Sequence, residues 1–255
     1  MEDLRIFEEA IENYIRPATF PVAIKLLGSE ADIPQGVERA SQFFGHKINV
    51  CQGWALARYN GKAVAMLKDD IACPVVIIAL GLAEPPRFWL EGKLYLGWYT
   101  EDPAVAAKIA STIPRFPVGE YIGLVTAPVK SCDFEPDMVM VYCNPLQALR
   151  LIQAALSQEG DRFPCHLWTR GLCADVLVTA QQTGRCQFGI PCGGDRNYGY
   201  TSADEVVFVT PTTRLDEVAT GLKLLAEHGH SLQTVRYLDF EPVQREQYRK
   251  LREMI

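Results

Sequence analysis

Leu4, Phe7, Ala10, Ile11, Tyr14 and Ile15 recur at helical spacing with Glu8, Glu9 and Glu12 between them, so the chain is expected to open on an amphipathic helix ending near Pro17. Pro21 to Leu27 is an apolar run interrupted by Lys25 and reads as a strand. Gln35 to Lys47 reads as helix or turn, and Cys51 to Arg58 as a short helix ahead of the turn Asn60-Gly61. Ala63 to Leu67 is a candidate strand that leads to Asp69, Asp70 and then Cys73. Cys73 precedes Pro74 and the run Val75 to Leu80, which predicts a helix with the cysteine at its N-cap, because proline suits the first helical position.

After a break at Gly81 to Arg87, Lys93 to Tyr99 reads as a strand and Pro103 to Thr112 as a helix. Tyr121 to Pro128 and Asp137 to Cys143 are two further strands around a turn with Glu135 and Pro136. The clearest helix is Pro145 to Gln158, with Leu146, Leu149, Ile152, Ala155 and Leu156 on one face and Gly160 after it. Asp175 to Ala180, Val206 to Thr210 and Thr234 to Leu238 read as short strands, and Asp216 to His228 and Pro242 to Met254 as helices.

This alternation predicts an α+β fold, with mixed sheets and flanking helices, over one compact domain of residues 1–255. A faint internal echo admits two pseudo-repeated lobes, about 1–130 and 131–255, packed as one unit. Cys51 and Cys73 enclose an apolar segment and a glycine turn, and so do Cys173 and Cys192; LGWYT near residue 98 resembles YGYT near residue 200.

Composition narrows the classes. A 48% hydrophobic and 22% charged share is that of a globular protein, and a formal charge of -6 argues against a nucleic-acid partner. The acidic first residues do not resemble a secretory signal, and the longest apolar stretch, Val75 to Ala83, is too short to span a bilayer. The expectation is a cytoplasmic protein without a membrane partner, whose thiols stay reduced and available as ligands or nucleophiles.

Of the eight cysteines, Cys51, Cys73, Cys173 and Cys192 stand in contexts that suit a thiolate. A helix start at Cys73 favours an anion, and Gly193 and Gly194 after Cys192 let backbone N–H groups approach a sulfur or a bound anion. Arg196, one helical turn beyond Cys192, could bring a cation to the same corner or pair with Asp204 or Glu205. Cys132, Cys143, Cys165 and Cys186 read as structural or incidental. No C-x-x-C pair occurs, which weakens a zinc ribbon or thioredoxin, but four thiolates from distant segments can hold an iron–sulfur cluster, with zinc as the alternative metal. Asp69 and Asp70 suit a helix start, Lys25 a sheet edge, and the scattered histidines suggest no metal site. Phosphate-loop, dinucleotide, H-E-x-x-H and G-x-S-x-G motifs are missing, so no catalytic residue is assigned.

The stretches CQGWALARYNGKAVAMLKDDIACPVVIIALG, GLCADVLVTAQQTGRCQFGIPCGGDR and SADEVVFVTP resemble the DUF169 proteins of archaea and anaerobic bacteria. The family's recurring positions match Cys51, Cys73, Gly81, Cys173, Gly184, Cys192, Gly194, Arg196, Asp204 and Glu205. The resemblance implies a shared fold and supplies no activity or cofactor. The residues themselves suggest a redox or cofactor-binding protein with an iron–sulfur cluster on Cys51, Cys73, Cys173 and Cys192, tuned by Arg196, Gly193 and Gly194. Its partner would be a redox protein or a small anionic ligand. A metal-free small-anion binding module and a thiol enzyme using Cys73 or Cys192 are the alternatives.

Overall fold

The computed structural model describes residues 1–230, 232 and 244–255. Its helices are α1 Glu2–Ala10, α2 Ala40–Phe44, α3 Val50–Asn60, α4 Pro74–Ala79, α5 Arg87–Leu90, α6 Pro103–Ser111, α7 Pro145–Ala155, α8 Thr179–Thr183, α9 Gly193–Tyr198, α10 Leu215–Glu227 and α11 Glu246–Glu253. Its strands are β1 Val22–Leu27, β2 Val64–Leu67, β3 Gly123–Pro128, β4 Met138–Cys143, β5 Gln187–Gly189 and β6 Val206–Pro211. They form one sheet in the order β2-β3-β1-β4-β6-β5, antiparallel at every pair, and the fold is α+β. None of the helices among the described residues is long and apolar enough to cross a membrane.

Both faces of the sheet are covered, which explains why strands such as VAIKLL and MVMVYC are nearly continuous apolar runs. Along β4 the side chains divide by the two-residue period. Met138, Met140 and Tyr142 face one core with Trp54, Val76 and Val176, while Val139, Val141 and Cys143 face another with Leu4, Phe7, Leu151 and Leu222. The first face carries α3, α4 and the helical segment before α8; the second carries α1, α7 and α10.

The sheet maps onto itself when its halves are exchanged. β1 meets β4 with Val22 opposite Met140, Ala23 opposite Val139 and Ile24 opposite Met138, so the exchange pivots on the Ala23/Val139 pair. The outer pairings then coincide residue by residue. Val22 pairs with Pro128 as Met138 pairs with Pro211, and Val64 pairs with Thr126 as Gln187 pairs with Val209. Pro128 and Pro211 each end a strand and lead into a short 3-10 turn.

Two expected strands are replaced by other structure. Lys93 to Tyr99 is a series of tight turns, because Gly92 and Gly97 take left-handed φ angles of 71° and 77°. Gly92 also lies so close to the α6 backbone that a Cβ would meet Ala106 at 2.2 Å. Tyr95 from this segment packs with Trp89 and Trp168 in an aromatic cluster. Asp175 to Ala180 is helical: a short buried apolar run fits either a strand or a buried helix, and here it is enclosed on all sides as a π-helical turn, Ala174–Val178, continuing into α8. The expected strand Thr234 to Leu238 and the start of the expected tail helix, Pro242 and Val243, lie outside the described residues.

Candidate functional site

Each half of the chain contributes two cysteines from equivalent positions. Cys51 is the second residue of α3, whose start is closed by a reciprocal capping box between Asn49 and Gln52. Cys173 is likewise the second residue of the helical segment that opens at Leu172. Both helices end on a left-handed glycine, Gly61 at φ 68° and Gly184 at φ 62°, where an L side chain would be strained. The second segment is one residue longer from cysteine to glycine, and the π turn absorbs the excess. Beyond β2 and β5 the chain then reaches Cys73, the N-cap of α4 with Pro74 at the first helical position, and Cys192, the N-cap of α9.

All four sulfurs open on one cavity of about 340 Å³. Its inner wall is made by the buried side chains of Trp54, Val76, Leu172 and Asp195, and its outer wall by the exposed Trp98, Tyr99 and Tyr198 and the half-buried Arg170. The four cysteines are themselves half-buried.

Burial governs their protonation. It raises the Cys51 thiol far above its ordinary value, and the negative charges that Asp195, Cys192 and Cys73 can carry add to the shift. Cys173 is raised in the same way, by burial first and then by Cys73, Cys192 and Cys51. Cys73 is raised by burial and only partly relieved by the backbone N–H groups of Val76 and Val75, which point toward the sulfur without closing a cap hydrogen bond. The helix start expected to lower this thiol is therefore outweighed by desolvation. Cys51, as a protonated thiol, donates to the Gly194 carbonyl at 3.5 Å.

Behind Cys51 lies a buried polar network. Tyr142 donates to one Asp195 oxygen at 2.9 Å and Thr201 to the other at 2.7 Å. Burial raises Asp195, and these two hydrogen bonds and Arg58 oppose it. The Arg58 guanidinium lies 3.4 Å from the Tyr142 ring centre, pairs with Glu205 and donates to Thr19.

The positions singled out from sequence divide as follows. Cys51, Cys73, Cys173, Cys192, Gly193 and Gly194 all line the cavity, but Gly194 turns its carbonyl toward Cys51. Arg196 points elsewhere, donating to the Ser202 carbonyl at 2.7 Å, and the cation on the cavity wall is Arg170. Cys143 and Cys186 are buried away from it, with thiols pushed up to about 12 chiefly by desolvation. Cys132 donates to the Phe134 carbonyl and Cys165 is exposed. Asp69 is exposed, whereas Asp70 is fully buried and binds Arg39, Ser41 and the Leu67 N–H. Arg170, Asp195, Trp54 and Tyr198 had no signal beyond nearness: Arg170 precedes Cys173 by three residues, and Asp195 follows Cys192 by three.

Among the described residues, no three histidine, cysteine, aspartate or glutamate side chains are gathered tightly enough to hold a metal ion as they stand. The donor set is nonetheless all sulfur, reduced and converging from four separate elements, which suits a soft, thiophilic metal centre.

These features define an α+β protein built from two equivalent halves around a four-cysteine cavity. The chain belongs to the DUF169 family, described as uncharacterised ArCR, whose pattern matches residues 10–221. It is also similar to an uncharacterized protein of Methanocaldococcus jannaschii, 31% identical over 206 residues, which cover 79% of this chain and 86% of that protein. No solved structure is significantly similar to it.

Proposed function

We propose that the four-thiol cavity holds an iron–sulfur cluster and that the protein is a cytoplasmic redox or cofactor-binding protein. The observation that carries this reading is the convergence of Cys51 and Cys73 from one half and Cys173 and Cys192 from the other on a single cavity. Cys51, Cys73 and Cys173, raised chiefly by burial and by repulsion among the ionised thiols of the cavity, are poor independent nucleophiles, since a raised pKa leaves little thiolate at neutral pH. A bound polycation removes that repulsion and the protons together. This argument favours a metal centre over a thiol enzyme acting through Cys73.

Between metals, four thiols drawn from separate elements with no C-x-x-C pair favour a cluster. One zinc ion accepts the same four thiolates and stays the alternative. A cluster interposes several irons and sulfides and so spreads its cysteines further apart. When bound, it would supply one-electron transfer to a redox partner, or Lewis acidity at an exposed iron. The protein's own contribution is an apolar inner wall of Trp54, Val76 and Leu172 that limits water at the sulfurs, and Arg170, whose charge offsets that of an all-thiolate ligand set.

The test is iron and sulfide analysis of protein purified and reconstituted without oxygen. Roughly four irons per chain and a broad absorption near about 400 nm are expected for a cubane-type cluster. Colourless protein without iron overturns the proposal, and one zinc per chain replaces the cluster with the zinc alternative.

A further inference from the structure

We propose that the mouth of the four-cysteine cavity binds a planar, conjugated small molecule carrying an oxyanion, with its ring against Trp98 and Tyr99 and its oxyanion on Arg170. This names a ligand class for the site proposed above. It rests on that cavity being a working site, and not on which metal the thiols hold.

The aromatic wall is the first observation. Trp98 is 70% exposed, Tyr99 46% and Tyr198 53%, and all three border the same cavity. Single exposed apolar side chains are ordinary, but a group of large rings at the rim of a concave site marks a contact surface. Trp98 and Tyr99 have ring centres 4.9 Å apart and planes tilted by 40°, and both border the sulfur-lined cavity. A flat conjugated ligand gains offset stacking there that an aliphatic one of equal size does not.

Arg170 is the second, independent observation. Its Nη1 donates to the Trp168 carbonyl at 2.8 Å, and its guanidinium carbon lies 5.0 Å from the Tyr99 ring centre and 5.9 Å from that of Trp168. The side chain is thus held in place by one carbonyl and two rings. Its Nε is buried from solvent and has no hydrogen-bond partner among the described residues. No salt bridge joins Arg170 to a carboxylate among the described residues, and the nearby Asp175, whose carboxyl is raised by burial and lowered in part by the Arg170 charge, accepts from the N–H groups of Trp168 and Thr169. A guanidinium fixed at a cavity wall, with a single Nη1 hydrogen bond to the protein among the described residues, has further Nη N–H groups to offer a carboxylate or phosphate oxygen. The same charge excludes a cationic ligand, which the rings alone would have welcomed.

Size and depth select a small molecule. A volume of about 340 Å³ is at the lower end of ligand pockets, which run from about 300 to 1,000 Å³. A floor lined by thiols leaves the outer part for one or two fused rings, whose anionic end meets Arg170 at the rim and not among the sulfurs.

The test uses calorimetric titration of the full chain as purified anaerobically, with iron measured on the same sample. The probes are 2-naphthoate (flat and anionic), 2-naphthamide (flat and neutral) and decahydro-2-naphthoate (anionic but puckered). The naphthoate is expected to bind about tenfold or more tightly than the naphthamide, as one hydrogen bond to a charged group is worth, and about twofold to tenfold more tightly than the puckered acid, as one stacking contact is worth. Arg170→Gln should bring naphthoate down to the level of naphthamide, and Trp98→Ala, at an exposed position where folding is undisturbed, should weaken both naphthyl probes. Equal affinity for the three probes, no binding by the wild type, or a Trp98→Ala protein indistinguishable from wild type overturns the proposal. Iron content is read separately, so selective naphthoate binding by iron-free protein would uphold this site while removing the cluster, and iron-loaded protein without binding would do the reverse.

Discussion

The Cys51 thiol, carried by α3 in the first half of the chain, donates to the carbonyl of Gly194 on α9 in the second half at 3.5 Å. The contact joins the halves across the cavity and requires the sulfur to keep its proton. Metal loading must therefore break it, and the Gly194 carbonyl then needs a new donor or water. The metal-free and loaded proteins should differ locally at the start of α9, not across the sheet.

Ligands and bystanders can be separated by substitution. Cys51→Ser, Cys73→Ser, Cys173→Ser and Cys192→Ser should each lose most of the iron, because a hydroxyl does not replace a soft thiolate. Cys143→Ser and Cys186→Ser, buried away from the cavity, should retain it, and Cys143→Ser should lose about 1–2 kcal/mol of stability from placing a hydroxyl in an apolar site. Iron content and thermal melts of the six variants check this, and equal iron loss in all six would refute the assignment.

Metal uptake should also depend on pH in a definite direction. Cys51, Cys73 and Cys173 are raised above the ordinary thiol value, so they are protonated at neutral pH and must lose protons to become ligands. Loading should release protons into a weakly buffered solution, and apparent metal affinity should rise from pH 6 to pH 9. A pH-independent affinity with no proton release would mean the thiols are not the ligands.

The cavity was more legible in the sequence than the surroundings that define its chemistry. Proline after Cys73 and paired glycines after Cys192 are local signals, and both cysteines are N-caps in the structure. Arg170 and Asp195 reach the cavity through tertiary packing, which has no local pattern. Arg196 shows the converse, since its spacing from Cys192 suited the site but its guanidinium is taken by the Ser202 carbonyl. The buried helix after Cys173 reads as a strand because Val176-Leu177-Val178 is a short apolar run rich in β-branched residues, too short to reveal a helical period. β5, with only three residues, offers too little pattern to be seen at all.

Arg58 and Glu205 form an ion pair between α3 and the turn before β6, and Arg58 is almost completely buried. Removing one partner strands the other, so Arg58→Met should cost about 3–5 kcal/mol in urea unfolding. Replacing both, as Arg58→Met with Glu205→Leu, should recover part of that loss. A double variant as unstable as the sum of the two single ones would show that the residues do not act as a pair.

Asp70 provides a pH dependence for the fold itself. Burial alone would raise its carboxyl, but hydrogen bonds from Ser41, the Leu67 N–H and Arg39, together with the Arg39 charge, hold it below the ordinary aspartate value. A folded pKa below the unfolded one means that this contribution is complete above the unfolded value, about 3.9, and is lost as pH falls through the folded value. Wild-type stability should therefore drop on acidification through the region below pH 4. Asp70→Asn should lower stability at pH 7 by about 1.5–3 kcal/mol, the usual worth of hydrogen bonds to a charged group, and should flatten the acid slope. Urea unfolding of both proteins between pH 3 and pH 7 measures the two effects together. An unchanged slope in the variant would assign the acid sensitivity to other carboxyl groups and leave Asp70 a packing role only.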